Sequence, residues 1–586
     1  MKNKKLIVRR ALIAMGSGYL AASAGLVNAI NFNIGEVEGQ FDSQLSIGAS
    51  WAVRSANSDF ISTASGGKAS TRGQDDGRLN FKKGETFSKI FKGIHDLELK
   101  YGDTGILLRG KYWYDFELKD EHRPFYDIDD HDRKEGAQAS GAQLLDAFLY
   151  HNYNLGDLPG SFRIGKQVVS WGESTFIGNS INSINPIDVA AFRRPGSEIK
   201  EGLIPVNLIY LSQGLTDNLT AEAFYQLEWD QTVVDNCGTF FSTSDLIADG
   251  CVDRLVVAGP DLPPGVSTNT GGTLFIPRAG DRDARDSGQF GVALRWFVPE
   301  LNDTEFGAYA LNYHSRGPVF STIRTTTPSA ALIPGAPNAH YFVEYPEDIR
   351  LYGVSFQTNV EGTALSGEIS YRPNMPLQIN STDLVFASLG LPLSPVFQSG
   401  QAQNIAGNDL HGYERRGVTQ AQFTATQFID QVMGASRLTL VGEVGYNHIN
   451  GISDDVGELR FGRDPIFGSG QLSSQSTCRA LNAANPQECN DKGFFTSNSW
   501  GYRARASLEY SNVIAGVNLT PNLAWSHDVD GYGPNFVEGS KAISVGLNAE
   551  YQNTYTASLS YTDFFGGDYS TITDRDFVAL SFGVNF

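Results

Sequence analysis

The chain has 586 residues, a net charge of −20, and only 19% charged residues. It is rich in Gly (63), Phe (36) and Tyr (24) and has just 4 Met, a balance that favours strands and turns over long helices. The acidity excludes the basic footprint of a general nucleic-acid binder, and the aromatic content excludes wholesale disorder.

Residues 1–29 read as a secretory signal peptide. Lys2, Lys4, Lys5, Arg9 and Arg10 precede an apolar, small-residue stretch, and Val27-Asn28-Ala29 suits a cleavage site. Residues 30–586 are then one exported domain. No later stretch reaches 18 consecutive apolar residues, so any membrane crossing falls to strands.

A period of two recurs along the chain. Phe41, Leu45, Ile47, Ala49, Trp51 and Val53 alternate with Asp42, Gln44, Ser46, Gly48 and Ser50. Ile106, Leu108, Tyr112, Tyr114 and Phe116 alternate with Arg109, Lys111, Asp115 and Glu117, and Trp500–Tyr510 and Ile543–Tyr551 behave alike. Such alternation puts one set on each side of a sheet. Eighteen strands are predicted, at 36–54, 94–101, 105–118, 142–154, 160–171, 204–212, 217–229, 288–299, 304–315, 348–359, 362–372, 412–430, 436–448, 498–511, 513–527, 540–551, 553–566 and 575–586.

The links between these strands alternate short and long. Gly102–Thr104, Leu155–Pro159 and Glu361 are short, whereas 55–93, 119–141, 172–203, 230–287, 373–411 and 449–497 are long. Short periplasmic turns and long outer loops are the pattern of an outer-membrane barrel. The fold expected is therefore all-β: a transmembrane antiparallel β-barrel of about 18 strands, with 16 as the alternative. Trp51, Trp113, Trp229, Trp296, Trp500 and Trp525 fall in predicted strands, where such rings suit the membrane–water interface.

Four long loops carry particular expectations. The exported chain meets an oxidising compartment, and of three possible pairings the local one, Cys237–Cys251 with Cys478–Cys489, is expected. Asp127, Asp129, Asp130 and Asp132 offer oxygens to Ca²⁺ but lack the Gly and Glu of an EF-hand, so a solvated acidic loop is the expectation and no metal is assigned. The segment 172–203 carries Phe176, Ile177, Ile181, Ile184, Ile187, Val189 and Phe192, an apolar content unsuited to a loop in water. It is expected to fold into the lumen as the third outer loop, stiffened by Pro186 and Pro195, with Arg193, Arg194, Glu198 and Lys200 at the constriction. The lumen-facing charges expected are Arg109, Lys111, Asp115, Glu117, Arg295, Arg503, Arg505 and Glu509, in a guiding ladder or in cross-strand pairs. Val578, Leu580, Phe582, Val584 and Phe586 form a closing strand, with Phe586 as the expected assembly signal.

The stretch Phe32–Ser43, running on to Gly48-Ala49-Ser50-Trp51, resembles the mature N-terminus of a proteobacterial outer-membrane family catalogued as domain of unknown function 1302. Gly165–Ser174, Asn185-Pro186-Ile187-Asp188 and Arg193–Glu198 are similar to its internal motifs. The resemblance implies an outer-membrane barrel and assigns neither substrate nor catalytic residues.

A lumen of this size implies passive passage of a small, amphipathic or hydrophobic solute across the outer membrane of a Gram-negative bacterium. A structural or adhesin barrel is the alternative. An enzyme is less favoured: no Gly-x-Ser-x-Gly elbow, His-Glu-x-x-His or Cys-x-x-Cys occurs, so no catalytic residue or cofactor is assigned. The partners expected are outer-membrane lipid and lipopolysaccharide, the barrel-assembly machinery and an unidentified small solute, with no nucleic acid.

Overall fold

A computed structural model of the chain describes residues 30–252, 254–261, 273–326, 338–402, 405–453, 457–472 and 474–586. The expected signal peptide, 1–29, lies outside the described residues.

Eighteen antiparallel strands close into a barrel. In chain order they are Val37–Ala52, Thr86–Tyr101, Thr104–Asp115, Ser140–Leu155, Leu158–Gln167, Val206–Gly214, Leu219–Gln226, Phe290–Val298, Thr304–Tyr313, Ile349–Val360, Thr363–Gln378, Tyr413–Asp430, Arg437–Ile449, Asn498–Ile514, Val517–Asp530, Lys541–Tyr551, Tyr555–Phe565 and Phe577–Asn585. Each pairs with its neighbours in sequence, and the last pairs with the first, Gln44 opposite Asn585 through Ala52 opposite Phe577. Closure leaves no edge, the condition for backbone polar groups to be satisfied in lipid. Among the described residues no helix is long and apolar enough to cross a membrane. A short strand, Ile30–Ile34, folds back on Val37–Phe41 beside the first barrel strand.

Side-chain alternation sorts the two faces. Ile106, Leu108, Val354, Ile369, Tyr371, Val444, Tyr446, Val545 and Phe582 are exposed on the outside. Lys111, Ser355, Glu368, Ser370, Arg372, Gln420, Gln422, Glu443 and Asn447 on the other face are buried. A period of two with apolar residues outward and polar residues inward is what a lipid-embedded barrel requires.

Several expected boundaries move. The second strand begins at Thr86 rather than 94, because Phe87 packs at its outer end against Phe240, Phe241 and Phe577. The fifth strand ends at Gln167 rather than 171, where the chain leaves the wall. Trp229 lies beyond its strand, and its indole donates to the Ser315 carbonyl at 3.1 Å. Trp113 is in a strand but points inward, buried and bonded to the Gln138 carbonyl at 2.9 Å, so it is no interfacial ring. Trp296 and Trp500 are exposed on the outer face.

The long connections build a folded cap. It contains a three-stranded sheet, Val319–Ile323 with His340–Glu344 and Asp409–Leu410, and an apolar cluster around Tyr341, Leu384, Val396 and Phe461. The disulfides are Cys237–Cys251 and Cys478–Cys489, the local pairing expected.

At the seam, the amide of Ser43 donates to the Phe586 carbonyl at 2.7 Å, and the Phe586 amide donates to the Ser43 carbonyl at 2.9 Å. Deleting Phe586 removes both bonds together with the terminal ring. We expect lower yields of folded barrel and loss of heat-modifiable migration in gels; wild-type amounts of folded barrel would contradict this.

Candidate functional site

The connection between the fifth and sixth strands, 168–205, packs against the buried, polar face of the wall, and over 187–194 it also bonds to the outer connections, the Val189 amide donating to the Val233 carbonyl at 2.9 Å. Gly172 starts the turn with a left-handed φ of 88°, and a Cβ there would meet the Glu368 carboxylate. Side-chain-bearing residues are disfavoured at such a φ. Two buried carboxylates then grip the backbone. Glu443 accepts from the amides of Thr175 (3.1 Å), Phe176 (2.5 Å) and Ile177 (2.9 Å). Glu368 accepts from the amides of Glu173 and Ile181, the latter at 3.2 Å, and from Gln422 at 3.1 Å. Hydrogen bonds to a charged group contribute roughly 1.5–3 kcal/mol each.

The acceptors of this segment are held in turn. The buried Arg372 guanidinium donates to the carbonyls of Asn179 and Ser180, the latter at 2.9 Å. Gln420 donates to the Gly178 carbonyl at 2.8 Å. Asn179 takes a left-handed φ of 63°, and Asn185 pairs both ways with the backbone of Val169.

Apolar packing seals the same contact. Trp171, Ile181 and Ile184 form one buried cluster with Leu208, Phe224, Tyr309 and Leu351. The wall is thinned to receive them: a Cβ at Gly353 would meet Ile181 at 2.7 Å, and one at Gly445 would meet Ile177 at 2.7 Å. Each fully buried side chain of this size contributes about 1.5–3 kcal/mol.

The far end of the segment is fastened to the first three strands. Lys92 donates to the Gly196 carbonyl (2.8 Å) and to Glu201 (2.6 Å). Lys111 donates to Asp188 (3.0 Å) and to the Glu201 carbonyl (2.8 Å). Pro195 lies against Gly48, where a Cβ would come within 2.9 Å of its ring. The segment thus bridges strands far apart around the barrel.

The four residues expected at a constriction have specific partners. Arg193 pairs with Asp235 at 2.8 Å and lies over the Phe241 ring. Arg194 stacks on Trp113 and donates to the Gly136 carbonyl at 2.7 Å. Glu198 accepts from Gln44 at 2.6 Å and pairs with Lys200 at 3.2 Å. Phe176, Ile187, Phe192 and Ile199, on the same segment, are exposed.

The other expected charges lie on or beside the inward face. Arg109 bridges Asp96 (2.7 Å) and Asp146 (2.9 Å), and Arg503 pairs with Asp528 at 2.6 Å. Arg295 joins Glu222 and Glu305, each at 3.0 Å, and faces Glu173 at 3.9 Å. Asp115 caps a short helix, Phe116–Asp120, so Glu117 sits beyond the strand, paired with Lys89 and Arg123. Arg505 lies opposite Val441, and Glu509 opposite Arg437. Glu173, Glu368 and Glu443 organise the site, and the backbone partners of the last two lie far away in sequence.

Asp127, Asp129, Asp130 and Asp132 do not converge. Asp127 pairs with His122, Asp130 with Lys119 and Asp132 with His131, while Asp129 accepts from the His131 amide.

A family model described as protein of unknown function (DUF1302) matches residues 9–586. Comparison with curated proteins finds no match. Among solved structures the chain is similar to OccAB1 of Acinetobacter baumannii, at 10% identity and a TM-score of 0.39, over 96% of this chain and 99% of that one. It is similar to the outer-membrane channel DcaP of Acinetobacter baumannii, at 10% identity and 0.34, over 94% and 97%. It is also similar to OccD3 (OpdP) of Pseudomonas aeruginosa, at 11% identity and 0.36, over 96% and 93%. The barrel assignment rests on the strand pairing itself.

Two outcomes follow from this geometry. Glu443→Gln removes the charge from three backbone hydrogen bonds, so the segment loosens by roughly 1.5–3 kcal/mol or more. Limited proteolysis should then cut within 173–182 while the barrel stays folded; an unchanged digest would contradict the anchoring. Burial pushes the Glu173 carboxyl up to about 8, with Arg295 opposing and Glu305 and Glu368 adding to the rise. The folded state therefore holds this proton to higher pH than the unfolded chain does, and stability falls as pH rises from the ordinary carboxylate range toward 8. The unfolding midpoint should drop between pH 6 and pH 9, and Glu173→Gln should flatten that drop; identical profiles would contradict it.

Proposed function

The chain belongs to the DUF1302 family, and on that premise we propose that its barrel is an outer-membrane channel for passive passage of small amphipathic or hydrophobic solutes. The observation that carries this reading is the surface of the inward segment. Phe176, Ile187, Phe192 and Ile199 are exposed on a segment fastened to the polar inner wall and to the outer connections, close in sequence to Glu198 and Lys200. Exposed apolar groups beside charges favour a solute with both characters over a sugar.

In this reading 172–203 narrows the passage, and Arg193 and Arg194 act by holding it in place through Asp235, Phe241 and Trp113. Outer-membrane lipid and lipopolysaccharide surround the barrel, and assembly runs through the barrel-assembly machinery.

Liposome swelling with purified protein tests the proposal. Benzoate should enter several-fold faster than a sugar of similar size. Phe192→Ser with Ile199→Ser should reduce that ratio while ionic conductance in planar bilayers persists. Impermeable liposomes, or an unchanged ratio in the variant, would contradict the reading.

A further inference from the structure

A second cluster of charge lies away from the inward segment, in the outer connections. Asp75 and Asp76 belong to the connection 53–85, and Asp245 to the connection 227–289, whose Cys237–Cys251 disulfide encloses it. All three side chains are buried. Each offers a carboxylate oxygen, and these oxygens lie within 4.8 Å of one another. Like charges this close and this dry repel strongly unless something between them compensates.

The surrounding partners supply only part of that compensation. Asp75 Oδ2 accepts from the Ser62 amide at 2.9 Å, and Asp245 Oδ2 accepts from the Asp76 amide at 3.2 Å. The second oxygens, Asp75 Oδ1 and Asp245 Oδ1, are buried and have no hydrogen-bond partner among the described residues. The same holds for the side-chain oxygen of neighbouring Gln74. A buried oxygen left this way costs roughly 1–3 kcal/mol. Arg254 pairs with Asp76 at 3.4 Å and is stacked on Tyr126. Arg78 is engaged with Asp574, and the nearby charges of Arg72 and Asp261 oppose each other. Arg575, also close by, is shared with Asp574, and buried Asp464 adds another acid beside Asp245.

We propose that Asp75, Asp76 and Asp245 bind one hard divalent cation, Ca²⁺, which ties the first and fourth outer connections together. The donors are all oxygens, the preference of Ca²⁺ rather than of Zn²⁺ or Cu²⁺. Ligands at about 2.3–2.6 Å from one Ca²⁺ are at most about 5 Å apart, which the carboxylate separation satisfies. A divalent charge offsets the crowding of acids, and the two orphaned carboxylate oxygens gain a partner. The connections already touch here, since the Asp245 amide donates to the Gly73 carbonyl at 2.9 Å.

The test uses the full mature chain, refolded from lipopolysaccharide-free material, stripped with chelator and titrated with CaCl₂ by calorimetry. One saturable site per chain is expected, with a higher unfolding temperature when it is filled. Asp75→Asn with Asp245→Asn should weaken binding at least tenfold, whereas Asp129→Asn with Asp132→Asn should leave it unchanged. Heat-modifiable migration establishes that each variant is folded; if the first pair does not fold, Asp76→Asn alone is read for the same loss. No saturable binding by the wild-type chain, or wild-type affinity in a folded site variant, would overturn the proposal.

Discussion

Two carboxylates on the inner wall, Glu368 and Glu443, hold the backbone of a segment that the strands alone would not retain. Between them they accept from the amides of residues 173, 175, 176, 177 and 181. A chain entering a barrel brings unpaired amides with it, and burying them costs more than the apolar contacts of a few isoleucines return. Anionic acceptors at the point of entry solve this. They also meet their own need, because a carboxylate buried on the inner wall is tolerable only when donors surround it. The grip is therefore reciprocal, and the Trp171–Ile181–Ile184 cluster forms around it.

The rest of the interior is arranged to suit. Small residues stand where the segment approaches most closely, at Gly353 and Gly445 on one side and Gly48 on the other. Arg372, Lys92 and Lys111 meet its carbonyls, so donors and acceptors of the loop both find partners in the wall. The outer surface carries none of this specificity. It needs only the apolar alternation that lipid demands, which is why the two faces of a single strand such as Thr363–Gln378 read so differently: Ile369 and Tyr371 outward, Glu368, Ser370 and Arg372 inward.

Much of the barrel was legible because a strand's period is local: Ile106 and Leu108 against Arg109 and Lys111 declare a face without reference to any other part of the chain. The errors arose where a strand leaves the membrane and the alternation stops. Residues 86–93 mask the alternation: Phe87, at the outer end, packs into the cap with Phe240 and Phe241, and apolar Ile90 is buried on the inward parity of Lys92. The apolar run of 172–203 was visible in a place where water would punish it. Its anchors were not, since Glu368 is 195 residues from Glu173 and Glu443 is 268 from Thr175. The same holds for the buried aspartates: Asp75 and Asp76 are adjacent, but Asp245 joins them only in the fold.

The central claim is that this segment lies in the path of the solute. The four native cysteines are all in disulfides, so a single cysteine introduced at Phe192 is the only free thiol. Single-channel recording of Phe192→Cys in a planar bilayer, before and after a charged methanethiosulfonate reagent, reads the passage directly. The account predicts a stepwise fall in current on modification that a reducing agent reverses. A channel whose current is unchanged after complete labelling of Cys at that position would contradict it.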